Sequence, residues 1–200
     1  MHLWQAHRSM VHRPFPRRLF LLRTLATALP LGLPMAARAG FNFFLSEYTA
    51  SRDELQAEIA RRFPLSQRYA EIFSVTLTEP VLGLDAGANR AAIAARVNIA
   101  SPLMQPSSVN GMVSVSSALR YDAPALALRL QDPRAERLQL DGVVGRDAER
   151  LQRIGGAVAQ ELLQGYPLRT FKPEELKFGR KVYEIGDITV GQDEIKVQLK

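Results

Sequence analysis

The chain has 200 residues, of which 46% are hydrophobic, and a formal net charge of +6 with no cysteine. That size suits one domain with an ordinary buried core, and the lack of cysteine excludes both a disulfide framework and attachment to lipid through an N-terminal cysteine. A pI near 10.0 would ordinarily suggest a nucleic-acid partner, but the six charges before Gly40 are all arginines (Arg8, Arg13, Arg17, Arg18, Arg23 and Arg38), so the remainder balances twenty basic against 20 acidic side chains and no basic nucleic-acid-binding surface is expected.

Residues 1–39 read as a cleavable signal peptide. A basic stretch ends at Arg17-Arg18, a mostly apolar run extends from Leu19 to Met35, and Ala37-Arg38-Ala39 supplies a small-x-small cleavage pattern between Ala39 and Gly40. Arg23, Pro30, Gly32 and Pro34 interrupt the run, leaving it too broken for the ~20 apolar residues of a stable membrane span. Arg17-Arg18-Leu19-Phe20-Leu21 is similar to the twin-arginine export motif, although Pro16 stands where a polar residue is usual. Twin-arginine and general secretory export both end outside the cytoplasm. The expected product is a free periplasmic protein with no permanent membrane anchor after cleavage.

From Gly40 the elements follow in order. Phe41, Phe43 and Phe44 make an aromatic entry segment. Ser51 with Glu54 three residues later forms a capping box, and Leu55, Ile59 and Phe63 lay one apolar stripe along a first helix that ends by Pro64. The period changes to two from about Ile72, with Val75 and Leu77 inward and Pro80 breaking or bulging the run. Asp85–Asn89 is a turn. Ile93, Ala95, Val97 and Ile99 share a face of the next strand, and Val113, Val115, Leu119 and Tyr121 share one of the strand after the loop 101–108. Leu126, Leu128 and Leu130 alternate again. Asp132-Pro133 predicts another turn before Leu138, Leu140 and Val143. Strands joined by short turns predict an antiparallel meander.

Helical spacing returns from Arg146 to about Gly165, with Leu151, Ile154, Val158 and Leu162 on one face. Gly155-Gly156 costs about 1 kcal/mol per glycine relative to alanine in a helix interior, which predicts a close approach or a kink there. Beyond the connection at 172–176, two strands carry Ile185, Ile188, Val190 and Ile195, Val197, Leu199. The whole reads as a single α+β domain over 40–200 with an antiparallel sheet wrapped on helices.

The residues that usually carry chemistry are missing. His2, His7 and His12 all lie in the leader, so the remainder has neither histidine nor cysteine for a nucleophile–base pair or the usual zinc sets. No phosphate-binding or hydrolase glycine motif stands in the chain. The carboxylate pairs Glu174-Glu175 and Asp193-Glu194 fall in polar turn segments and read as solvated surface. The expectation is a protein without catalytic residues, metal or cofactor. The long aliphatic faces then carry two readings, a well-filled core or a concave sheet and helix enclosing an apolar cavity.

The chain from Ser46 to Leu199 resembles the YceB-like family of bacterial envelope proteins. The resemblance rests on Tyr48-Thr49 leading into the capped helix, on Val75-Thr-Leu-Thr78 opening the sheet, on the strand series to Val144 and the helix Asp147–Leu163, and on the closing Tyr166-Pro-Leu168, Ile188-Thr-Val190 and Ile195–Leu199. It implies a curved antiparallel β-sheet wrapped around a long amphipathic helix, half of a TULIP-like lipid-binding module, and with it a lipid or other hydrophobic small molecule as ligand. Many members are lipoproteins, from which this chain departs by having no anchoring cysteine.

The candidate cavity lies between helix 147–165 and the sheet. Leu151, Ile154, Val158 and Leu162 are expected on the helix side, and Val97, Val113, Val115 and Leu128 on the sheet side. The alternative is a non-enzymatic envelope structural or interaction protein with a filled core, to which an exposed patch at Phe41, Phe43 and Phe44 would point.

Overall fold

The computed structural model describes residues 40–42 and 45–200; the expected leader, Ala39, Phe43 and Phe44 lie outside them. Two short strands, β1 (Gly40–Asn42) and β2 (Glu47–Ser51), precede helix α1 (Arg52–Ala60). The predicted cap is present: Ser51 Oγ accepts from the Glu54 amide at 3.3 Å. Leu55 and Ile59 are fully buried, while Phe63 packs from beyond the helix end.

A meander then follows: β3 (Leu65–Tyr69), β4 (Phe73–Asp85), β5 (Arg90–Ala100), β6 (Ser108–Asp122) and β7 (Ala127–Leu140). Helix α2 (Gly145–Leu163) returns the chain to β8 (Pro167–Thr170). A 3-10 turn (Pro173–Leu176), the miniature hairpin β9 (Lys177–Phe178) and β10 (Lys181–Val182), then β11 (Ile185–Val190) and β12 (Glu194–Leu199) complete the described residues. β3 to β8 form a six-stranded sheet in chain order, and β1-β2-β12-β11 form a second sheet of four, with every pairing antiparallel. The protein is thus an α+β fold whose larger sheet curls, since α2 touches each of β3 to β7.

Sequence alternation accounts for the inner face. Ala91, Ile93, Ala95, Val97 and Ile99 of β5 and Val109, Val113 and Val115 of β6 are buried, each valine or isoleucine contributing about 1.5–3 kcal/mol on full burial. Two strands are longer than the pattern predicted because bulges carry them through apparent breaks. In β4 the register slips between Thr78 and Val81, and Glu79 at φ +50° shifts the inward set from Val75 and Leu77 to Pro80 and Leu82.

The expected turn at Asp132-Pro133 is instead a bulge inside β7. Asp132 takes φ +51°, and the Arg90 guanidinium holds the site by donating to the Ser116 carbonyl at 3.0 Å and the Asp132 carbonyl at 2.8 Å. The two sheets are tied by Asn89, whose side chain accepts from the Val190 amide at 2.7 Å and donates to the Ile188 carbonyl at 3.3 Å. It thereby satisfies edge groups of β11 that a strand would otherwise pair.

Candidate functional site

The space between α2 and the large sheet differs along the helix. Midway, a Cβ placed on Gly155 would meet Ile99 Cδ1 at 2.8 Å and Leu138 Cδ2 at 3.1 Å. The glycine pair therefore marks a close approach, of helix backbone to sheet side chains, and leaves no room for a ligand at that point. The candidate cavity residues Val97, Val113, Val115, Leu128 and Val158 are each at most 2% exposed and belong to this packed core. Ile154 and Leu162 are partly buried against it.

Towards the C-terminus of α2 the space is plugged by aromatic side chains. Gly165 at φ +70° turns the chain out of the helix. Tyr166 stacks edge-on against Phe63 and donates its hydroxyl to the Ile59 carbonyl at 3.3 Å. Beyond it Tyr48, Phe171, Phe41 and Tyr121 form a contiguous ring cluster. Phe41 therefore packs inward rather than forming the exposed aromatic patch. Burial pushes the Tyr48 phenol up to about 12 against the pull of the adjacent Arg169 guanidinium.

The N-terminal end of α2 is open. Here a pocket of about 520 Å³ lies between the start of the helix, the β5–β6 loop and the β3–β4 turn. Its apolar lining comes from Ile72 and Phe73, from Leu103, Met104 and Pro106, from Val109 of β6, and from Val143, Val144 and Leu151. Asp147 and Arg150 supply charge at its border. Leu151 is thus the one predicted cavity residue that lines this pocket.

Local chemistry builds the two walls. Ser101 shapes the loop, its amide donating to the Ser107 carbonyl at 2.8 Å while its hydroxyl accepts from the Leu103 amide at 3.2 Å. That turn leaves Leu103 76% exposed. Opposite, Gly142 and Gly145 at φ +69° and +72° reverse the chain between β7 and α2, and Val144 between them is 87% exposed. Leu103 and Val144 thus present aliphatic side chains to solvent at the mouth of the pocket. Sequence reasoning missed this set because its members come from three connections with no period. Apolar residues in loops otherwise rich in proline, glycine and serine were the available signal.

Three of the four carboxylates in the two pairs face basic side chains, and Glu174 is exposed. Glu175 accepts from Arg169 at 2.9 Å and from the Lys172 amide at 2.7 Å, Asp193 faces Arg52 at 3.4 Å, and Glu194 faces Lys196 at 3.2 Å. Among the described residues no three metal-ligating side chains lie together. No protein-family model matches the chain, and no curated protein is significantly similar to it.

Proposed function

We propose that the protein is an exported, periplasmic binding protein for a lipid or other hydrophobic molecule, whose apolar part enters the pocket at the N-terminal end of α2. The observation that carries this reading is the pocket itself. Its volume of about 520 Å³ falls within the ~300–1,000 Å³ of ligand sites, and nine of its 13 lining residues are apolar. Asp147 and Arg150 at the border offer contacts to a polar headgroup. The resemblance to YceB-like proteins supports the same reading, with the sheet and α2 serving as a TULIP-like half-module in which α2 is the long amphipathic helix. In this reading the protein is not an enzyme and uses no cofactor.

The alternative, an envelope interaction protein with a filled core, draws on the packing at Gly155. Native mass spectrometry of protein purified from its own periplasm separates the two. A co-purifying lipid of defined mass is expected, lost on denaturation and weakened by Leu103→Asp. A clean apo mass that stays unchanged after incubation with mixed lipids rejects the carrier and leaves the interaction protein.

A further inference from the structure

The miniature hairpin β9–β10 belongs to neither of the other two sheets, and what it does is independent of the lipid-binding pocket. Its base is fixed. Leu176 and Tyr183 are buried on either side of it, and the Tyr183 amide donates to the Leu176 carbonyl at 2.8 Å. Between these anchors the register pairs Lys177 with Val182 and Phe178 with Lys181. Gly179 at φ +62° leads the two-residue turn, a place where a tight hairpin turn calls for glycine. Every residue of 177–182 is exposed, so the hairpin stands out from the body on a pinned base.

Its side chains are apolar and basic throughout. Phe178 and Val182 are each more than half exposed. Lys177, Arg180 and Lys181 supply positive charge, and the hairpin holds no acidic residue. None of these three cations has an ion-pair partner among the described residues, and Lys181 lies over the Tyr183 ring at 4.3 Å. Of the flanking acids, Glu175 is paired with Arg169 and Asp187 with Lys200. Glu174 and Glu184 are left against Lys172 and the hairpin, an excess of two positive charges. The region is therefore basic within a chain that is neutral from Gly40 onward.

The register decides what kind of surface can receive the hairpin. Residues paired across a ladder share a face and successive residues alternate, so Phe178 and Lys181 lie on one side and Lys177 and Val182 on the other. Each side carries one apolar and one basic side chain, and neither is a wholly polar side to turn to water. A protein surface would cover one side and leave the other wet. A bilayer interface surrounds an entering tip: it takes apolar side chains at the acyl boundary and lets long cationic ones reach back to the phosphates. We infer that β9–β10 docks the protein on an anionic phospholipid membrane, with Phe178 and Val182 entering the interface and Lys177, Arg180 and Lys181 facing lipid phosphates. Because the attraction rests on exposed charge, the contact is reversible and sensitive to salt.

The test is co-sedimentation of the chain, purified from periplasm, with vesicles of phosphatidylcholine or of phosphatidylcholine mixed with phosphatidylglycerol. Parent and variants are matched for N-terminal processing by intact mass, so the arginines before Gly40 cannot account for a difference between them. The mixed vesicles should bind the parent at least about ten-fold more tightly than the neutral ones, and less tightly as salt is raised. Lys177→Glu with Lys181→Glu should remove that preference, and Phe178→Ser with Val182→Ser should weaken binding by about ten-fold or more. These positions are exposed, so the folded fraction by circular dichroism should match the parent. Trp4 is the single tryptophan and precedes Gly40, so in the processed chain Phe178→Trp reports on the hairpin alone; its emission should shift to shorter wavelength on the mixed vesicles. Equal binding to the two vesicles, a preference unaltered by the charge variant, or unshifted emission from bound chain overturns the inference. So does failure to bind either vesicle, which leaves the hairpin to an acidic protein surface.

Discussion

The two halves of α2 rest on the same sheet in opposite ways. From Gly155 onward the helix backbone sits directly on Ile99 and Leu138, and Tyr166 and the rings around Tyr48 close the end. Before Leu151 the helix faces loops, and the space beneath it opens to solvent past Leu103 and Val144. A glycine pair that brings a helix into contact at its middle fixes where the interior is solid. What happens at the ends is then set by the connections: an aromatic-rich one seals, and a glycine- and serine-shaped one leaves a mouth.

The sharpest way to break this contrast is truncation in the sealed half. Ile99 is fully buried and lies directly under Gly155, so Ile99→Ala should lower the unfolding free energy by about 2–5 kcal/mol. A chemical denaturation series measures this, and a loss below about 1 kcal/mol would mean that the helix is not seated there. Adding volume probes the same contact from the other side. Gly155→Val should cost about 1–3 kcal/mol through overpacking, whereas Gly156→Ala, with its nearest neighbour at 3.5 Å, should be neutral or stabilise by up to ~1 kcal/mol.

The plugged end has a pH signature. The Tyr48 phenol is held protonated in the fold, its pKa raised from 10.0 to about 12. The unfolded chain therefore gives up this proton first as pH rises. The Tyr48 contribution is fully present below pH 10 and is lost progressively up to about pH 12, a change of about 2–3 kcal/mol at ~1.4 kcal/mol per unit. Tyr48→Phe should remove that alkaline loss. At neutral pH it should change stability by no more than about 1.5 kcal/mol, because the buried hydroxyl it deletes meets only the Arg169 guanidinium. An unchanged alkaline limb in the variant would place the titration elsewhere.

The strand bulge that lets β7 run past Asp132-Pro133 should yield a comparable but smaller effect. Arg90 has a side chain only 15% exposed and supplies the donors to Ser116 and Asp132. Hydrogen bonds from a charged group of this kind contribute about 1.5–3 kcal/mol, so Arg90→Ala should lower stability by about that amount, with Arg90→Lys restoring only part.

Particular residues show why some of this was legible and some was not. The alternation Ile93, Ala95, Val97, Ile99 fixes a face whatever the surroundings, and Ser51 with Glu54 sets a helix start locally; both stand in the structure as read. Asp132-Pro133 misleads because turn chemistry and a bulge use the same residues, and only the distant Arg90 decides between them. β3, with Leu65 and Tyr69 around Ser66, Gln67 and Arg68, has too little apolar pattern to announce a strand; its pairing with β4 supplies the order. Leu151 was legible as a wall of the interior, but its partners at the mouth were not, since Leu103 and Val144 come together only through the folded path of two loops.

The open half predicts the smallest effect on stability together with a decisive effect on binding. Leu103 makes few contacts for an exposed aliphatic residue to lose, so Leu103→Asp should change unfolding free energy by no more than ~0.5 kcal/mol. Val144→Asp should not lower it, since Val144 is the uncapped N-cap of α2 and a carboxylate there caps the helix. A carboxylate at either position would have to be desolvated by an entering apolar chain, a cost on the scale of several kcal/mol for a buried unpaired charge. Titration with a lipophilic fluorescent amine should therefore give saturable emission with the parent chain and little with either variant, at equal folded fraction by circular dichroism. Equal emission from all three chains would move apolar binding away from the mouth. Loss of emission accompanied by unfolding would instead show that this end of α2 depends on Leu103 and Val144 for its packing, erasing the difference between the two halves of the helix.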